Sequence, residues 1–239
     1  MELISLKSRR LKPNDDLLAA LKKAFGKRKL KEGDILVIAS KAVAYSQGRL
    51  VLVKSKKEFR KLIEKEADAV LDEGEMVITL KNHILIPNAG IDNSNTPKNT
   101  VVLWPDKPFK AAQKIRQKLI KNYKIKNLGI VISDSHCQPL RAGTSGIAIG
   151  WAGFMGVQDE RGNKDLFGKK MEYTQIAVAD DLASSANLLM GETNASIPFV
   201  IARGLKVKWS EKKFSEKDYF IHPKECIYKH FYSKKLLNT

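Results

Sequence analysis

The sequence predicts an α+β fold in which mixed β-sheets carry packed helices, and three observations predict it. Short Val/Ile-rich runs recur along the 239 residues. Amphipathic helical patterns separate some of these runs but not others. Neighbouring strands therefore mix with strand-helix-strand units, where a doubly wound fold would alternate strictly. No repeat, low-complexity linker or internal boundary interrupts the pattern.

In chain order, a helix over 15–25 (DDLLAALKKAF) opens with two aspartates in its first turn, the charge that the positive end of a helix dipole favours. DILVIA at 34–39 and RLVLV at 49–53 have the β-branched content of strands. Over 56–70, Phe59, Leu62, Ile63 and Val70 fall roughly on one helical face. MVITL (76–80), HILI (83–86) and TVVLW (100–104) are further strands. The helix over 108–121 starts with Pro, whose missing N–H has no helical partner at that position, and groups Phe109, Ala112, Ile115 and Leu119. LGIVIS at 128–133 is an apolar strand that stops at Asp134. A helix over 175–190 carries Ala177, Ala179, Ala183 and Ala186, small enough for close packing on a neighbour. PFVIAR at 198–203 is the last strand, and 210–239 is polar, basic and peripheral.

Forty-three Lys and Arg against 26 Asp and Glu give a formal charge of +17. The lysines are spread over helix faces and the tail without a nucleic-acid-reading motif, which points to a solvated basic surface and, second, to attraction of anionic small ligands. Two cysteines, Cys137 and Cys226, are too few for a disulfide framework or a cysteine-based zinc site and fit a reducing compartment. The first residues place a short apolar start before basic ones, the reverse of a secretory signal, so the expected location is the cytoplasm, with no membrane span.

Three polar clusters ask for an explanation. PNAGIDNSNTP at 87–97 is a loop by turn chemistry. Its Asn88, Asp92, Asn93, Ser94 and Asn95 also suit a hydrated hard cation and a polar ligand. In LGIVISDSHCQPLRAGTSG at 128–146, His136 and Cys137 are sequence neighbours whose side chains point to opposite faces of an extended chain, a poor nucleophile pair. The remaining histidines show no zinc spacing. Asp134 at a strand end, followed by hydroxyls and by Gly143 and Gly146 with backbone open to close approach, fits Mg²⁺ with phosphate, and Arg141 adds a fixed planar cation. The glycines match neither a Walker loop nor G-x-G-x-x-G. In the third cluster, 158–182, Asp159, Arg161, Asp165, Asp180 and Asp181 read either as a charged surface loop leading into a helix or as a wall of the site, with RGNKDLFG burying Leu166 and Phe167.

Together, NAGIDNSN (88–95), SDSHCQPLRAGTSGIAIGWAGF (133–154) and DERGNKDLFGKKMEYTQIAVADDLASSANLLMGE (159–192) resemble the coenzyme F-420-0:L-glutamate ligase family, the gamma-glutamyl ligases. The resemblance extends through KPNDDL (12–17), GDILVIASKAVAYSQGR (33–49) and IPFVIARGL (197–205). It implies a ligase domain of that family's fold over 1–205 and a basic extension over 206–239.

The resemblance also implies the chemistry: a GTP-dependent ligase, working as a homodimer, that joins the amine of L-glutamate to a carboxylate of a deazaflavin coenzyme precursor through an acyl phosphate. Two Mg²⁺ or Mn²⁺ ions are expected. By resemblance, Asp92, Asp134, Ser135 and Glu192 are the metal ligands and Ser40, Lys41 and Asn95 contact the nucleotide; Asp134, with Arg141 read from its residue type as a cation for phosphate or substrate carboxylate, is the catalytic candidate. Departures are local. KSRRL at 7–11 replaces G-x-P-x-I of the nucleotide site, Tyr45 stands where a second lysine is expected, and SDSHCQPLR loses the Gly-Arg pair and Trp of S-D-T-x-G-R-P-W-R. SQGR and SDSH-x-x-PLR look closer to a sister branch acting on folates, which makes a folate-type acceptor the alternative. An alternative of another class is a non-catalytic nucleotide- or RNA-binding protein.

Overall fold

The computed structural model describes residues 1–72, 74 and 76–237; positions 238 and 239 of the C-terminal extension lie outside them. In chain order the strands are β1 (Glu2–Leu6), β2 (Asp34–Ala39), β3 (Leu50–Leu52), β4 (Ala69–Asp72), β5 (Ile78–Lys81), β6 (Ile84–Pro87), β7 (Thr100–Val102), β8 (Leu128–Cys137), β9 (Thr144–Ala152), β10 (Gln158–Asp159), β11 (Gln175–Ile176) and β12 (Phe199–Arg203). The helices are α1 (Leu17–Phe25), α2 (Ser40–Ser46), α3 (Lys56–Glu66), α4 (Pro108–Tyr123), α5 (Val178–Met190) and α6 (Lys234–Leu237).

A five-stranded mixed sheet in the order β1-β12-β2-β8-β9 carries the core. β2 and β8 run parallel and the other three pairings are antiparallel. β2 and the first half of β8 are apolar at nearly every position because both faces of the sheet are covered. The two-residue period sends Leu36, Ile38, Ile130, Ile132, Phe199 and Ile201 to the face under α1 and α4. Ile35, Val37, Val131, Val200 and Ala202 go to the face under α5. Beside this body, the meander β4-β5-β6 and the β3-β7 ribbon pack with α3 around Ile63, Val77, Ile91 and Leu103. Among the described residues no helix is long and apolar enough to cross a membrane.

The mixed-sheet α+β reading holds, and its departures have physical causes. The first helix begins at Leu17. Asp16 is its N-cap, accepting from the Leu18 and Ala19 amides, and Asp15 stands outside, paired with Arg9 at 2.9 Å. The helix expected over 56–70 ends at Glu66, whose carboxylate bonds Arg49 at 2.7 Å and Lys81 at 2.9 Å, and Val70 joins β4 instead. The strand expected to stop at residue 133 continues to Cys137, because β9 pairs with it along its whole polar half after a register shift between Ile132 and Ser133. Asp134 is therefore inside a ladder and not at a strand end. Gly146 serves packing, not a phosphate: a Cβ there would stand 2.3 Å from the Ala183 carbonyl oxygen of α5. Ala179, Ala183 and Ala186 are the buried face of that helix, whereas Ala177 lies outside it and is exposed. Leu166 and Phe167, expected to be buried, are 101% and 96% exposed on the β10–β11 hairpin, where Asp165 caps the turn through the Phe167 and Lys169 amides.

The C-terminal extension is tied to the body. Arg116 of α4, almost fully buried, donates to the Leu128 carbonyl and forks onto Glu211 at 2.6 and 2.7 Å. Phe214 packs on Trp151, and Tyr219 stacks on Phe109 while its hydroxyl donates to the Asn82 carbonyl at 2.8 Å. Glu211→Ala leaves Arg116 its carbonyl partner but removes the paired charge. The expected loss is about 1.5–3 kcal/mol, the range for hydrogen bonds to charged groups, read as a lower urea midpoint at unchanged slope. An unchanged midpoint would show the pair to be silent.

Candidate active site

The parallel pairing of β2 with β8 ends at Ala39 and Ser133, where β2 stops and β8 runs on beside β9, and ligands of α/β sheets bind where parallel strands reach their carboxyl ends. β2 passes directly into α2, which puts Ser40 and Lys41 at its first turn, and β8 brings Ser133, Asp134 and Ser135 alongside. The loop after β6 supplies Asp92, Ser94 and Asn95, the loop after α5 supplies Glu192 and Thr193, and the N-terminal loop supplies Arg9 and Arg10. These segments enclose a cavity of about 500 Å³.

Asp134 lies between two donors: the Ser40 hydroxyl donates to one oxygen at 2.9 Å and the Trp104 indole N–H to the other. Desolvation pushes its carboxyl up, and the negative charge of Asp92 adds to this, against the bonds from Ser40, Trp104 and the Ser135 amide. Among the described residues no Lys or Arg forms an ion pair with it. A desolvated carboxylate without a counter-charge fits a bound cation.

Asp92 is differently placed. Its carboxylate accepts from the Ser94 amide at 2.6 Å and meets Lys41 Nζ at 2.6 Å, while Lys41 also donates to the Ser94 carbonyl and hydroxyl at 2.8 and 2.9 Å. Burial pushes the Asp92 carboxyl up, but the bonds from Lys41 and Ser94 outweigh it and hold the group below the usual carboxylate range. All three Lys41 protons are thus used on the Asp92 loop.

Among the described residues, no three His, Cys, Asp or Glu side chains stand close enough to hold a metal by themselves. Glu192 lines the same cavity but does not form such a group with Asp92 and Asp134; it accepts from Asn187 at 2.9 Å. Two carboxylates with hydroxyls nearby suit Mg²⁺, which keeps water and takes its remaining ligands from substrate phosphates.

Ser40, Lys41, Asp92, Asn95, Asp134, Ser135 and Glu192 are brought together on this one cavity. Asn95, left-handed at φ 52°, donates its amide to the Thr193 carbonyl at 2.8 Å and so links two of the loops. Arg141 is not on the cavity wall; it sits exposed on the turn between β8 and β9. His136 is engaged through Nδ1 with the Ser145 carbonyl at 3.1 Å, and Cys137 is exposed. Trp104 was not singled out from the sequence. Its only signal was a polar-capable aromatic at the end of a strand run, followed by Pro and Asp.

Comparison with known proteins gives the family of the chain. The profile of the F420-0:Gamma-glutamyl ligase family matches residues 5–204. A coenzyme F420:L-glutamate ligase of Methanococcus maripaludis (strain C7) is 36% identical over 229 residues, 88% of this chain and 91% of that protein. Proteins of the same name from Methanocaldococcus jannaschii and Archaeoglobus fulgidus are 36% and 34% identical over 214 residues, each spanning 82% of this chain and 84% of the relative.

Proposed function

Because the chain belongs to the F420-0:Gamma-glutamyl ligase family, we propose that it joins the amine of L-glutamate to a carboxylate of coenzyme F420-0, using GTP. The observation that carries the reading is the cavity beside the end of the β2–β8 pairing, which collects three carboxylates (Asp92, Asp134 and Glu192), Lys41 with Arg9 and Arg10, and several hydroxyls in a volume suited to a nucleotide. A carboxylate and an ammonium do not condense in water. The acceptor carboxylate therefore takes the γ-phosphoryl group, releasing GDP. The glutamate nitrogen then attacks the acyl carbon, phosphate leaves and the nitrogen gives up a proton.

Most of that task is positioning and charge compensation. Asp92, Asp134 and Ser135 are the residues to hold two Mg²⁺ or Mn²⁺ ions, with Glu192 a further carboxylate on the cavity wall. Divalent ions, when bound, would neutralise phosphate charge. Ser40 orients Asp134, and Asn95 links the loops around the nucleotide. Lys41, a cation on the cavity wall with Arg9 and Arg10, is read as a phosphate contact that exchanges partners on the Asp92 loop for the nucleotide. Lys41→Ala is expected to raise the KM for GTP about tenfold or more, the 1.5–3 kcal/mol of a charge-assisted bond. An unchanged KM at subsaturating metal removes Lys41 from the nucleotide site.

Arg141 and the segment 136–140 lie on the β8–β9 hairpin outside the cavity lining, so we read them as acceptor contacts. A second reading comes from the departures from the deazaflavin pattern: the lost Gly-Arg pair and Trp fall on this hairpin while Ser8 to Leu11 and Tyr45 line the cavity, which keeps a folate-type acceptor with the same mechanism in contention. We further read the protein as a homodimer, since Leu140, Leu166 and Phe167 stand almost wholly exposed on two hairpins. The test is mass-spectrometric: L-glutamate, GTP or ATP, and Mg²⁺ or Mn²⁺ are offered with F420-0 and with a pteroate or folate acceptor in parallel. One added glutamate on F420-0 supports the first reading and on the folate the second. No product on either, without nucleotide hydrolysis, overturns both.

A further inference from the structure

We propose that Trp104 is a positioning residue for the divalent-cation site, fixing the direction of the Asp134 carboxylate and its separation from Asp92. The proposal rests on the reading of Asp134 as a metal ligand.

Trp104 is 2% exposed, and the N–H-bearing part of its indole meets both acidic segments. Its N–H donates to Asp134, whose other oxygen is held by Ser40. With one fixed donor on each oxygen the carboxylate cannot rotate, and its remaining lone pairs keep one direction. Indole N–H is only a donor, so it supports the ionised carboxylate and has no alternative hydrogen-bonding mode.

The same N–H-bearing part of the ring lies against Gly90, two residues before Asp92. Gly90 has φ +70°, and a Cβ there would stand 2.2 Å from the indole nitrogen and 2.4 Å from the adjoining ring carbon. Only a bare backbone admits the ring at this distance.

The main chain secures the same arrangement. Asp92 and Val102 exchange backbone hydrogen bonds at 3.0 and 2.8 Å, the Leu103 amide donates to the Arg49 carbonyl at 2.9 Å, and Arg49 Nε donates to the Trp104 carbonyl at 3.1 Å. Asp92 is thus registered two residues from Trp104, and the rigid bicyclic ring carries that register across to Asp134. Flexible side chains at this position would leave the two carboxylates to float against each other. Partners that orient a metal ligand are worth about 10–100-fold in metal affinity.

Trp104→Phe keeps the wedge and deletes the N–H. The expected result is a Kd for Mn²⁺, measured by the EPR signal of free Mn²⁺ in the presence of GTP, weakened about 10–100-fold. The KM for Mn²⁺ in ligation should rise by the same factor, with kcat at saturating Mn²⁺ close to wild type. A purely structural role lowers the melting temperature without moving the metal Kd. An unchanged Kd overturns the proposal.

A second measurement uses the wild-type protein and needs no variant at Trp104. Paramagnetic Mn²⁺ should quench one component of tryptophan fluorescence, and Asp134→Asn should abolish that quenching. Quenching that survives Asp134→Asn, or Mn²⁺ binding without quenching, also overturns it. A wild-type protein that binds no Mn²⁺ overturns the metal reading itself, an outcome distinct from failure of Trp104 alone.

Discussion

Asp134→Asn is expected to fold normally and to lose turnover by on the order of a thousandfold or more, since about 4 kcal/mol of transition-state stabilisation corresponds to that factor. Both donors around the residue survive the change: Trp104 N–H can donate to the amide oxygen, and the Ser40 hydroxyl can accept from the amide nitrogen. Stability should move the other way. In the metal-free protein desolvation raises the Asp134 carboxyl in the folded state. Stability attached to the group is then fully present below the unfolded-state value and is lost as pH rises through the raised folded value. Asn removes that loss, so at pH 7 and without metal the variant should melt at or above the wild-type temperature, with the difference closing in acid. Turnover within tenfold of wild type under limiting Mg²⁺ would sink the ligand assignment. Loss of turnover accompanied by a large drop in melting temperature would make Asp134 structural instead.

The parts of the fold legible in the sequence were those in which one local pattern sets one element. DILVIA and LGIVI are apolar throughout because β2 and β8 are covered on both faces, and Pro108 opens α4 because helix N-termini tolerate proline. The illegible parts were decided by partners far along the chain. TSGIAIGWA has little strand propensity in its first half and becomes β9 because the polar end of β8 pairs with it. SKAVAYS follows β2 without a capping side chain, so α2 gives no start signal. ELISL is short, and its pairing with Phe199–Arg203 joins opposite ends of the chain. At the site, Asp92, Asp134 and Lys41 could be named from residue type and family likeness. Their electrostatics could not, because the counter-charge that Asp92 receives from Lys41, and Asp134 lacks, depends on a contact across 51 residues. Trp104 was missed for the same reason: its indole becomes informative only once a strand and a glycine bracket it.

Gly146→Ala tests the packing beneath the site and should be among the most damaging single substitutions outside it. The methyl carbon would lie 2.3 Å from the Ala183 carbonyl oxygen, 2.5 Å from its carbonyl carbon and 2.8 Å from the Ser184 amide nitrogen. These atoms belong to the hydrogen-bonded backbone of α5, so no rotamer change relieves the clash and the helix must lift from the sheet. Lifting α5 opens the contact of Ala179, Ala183 and Ala186 with the sheet, residues whose small size permits the close approach. Over-packing typically costs about 1–3 kcal/mol, and a rigid obstacle puts this position at or beyond the upper end. The C-terminal end of α5 leads into the loop bearing Glu192 and Thr193, so the shift should also reach the cavity as a weaker GTP affinity. The neighbouring Gly143→Ala is the control: it meets nothing within 4 Å and costs only the strain of φ +92° in an exposed turn. Urea denaturation of the two variants separates the readings. A Gly146→Ala midpoint no lower than that of Gly143→Ala would mean that the glycine is not there for α5. The phosphate-approach role suggested by the sequence would then regain its standing if GTP affinity alone had fallen.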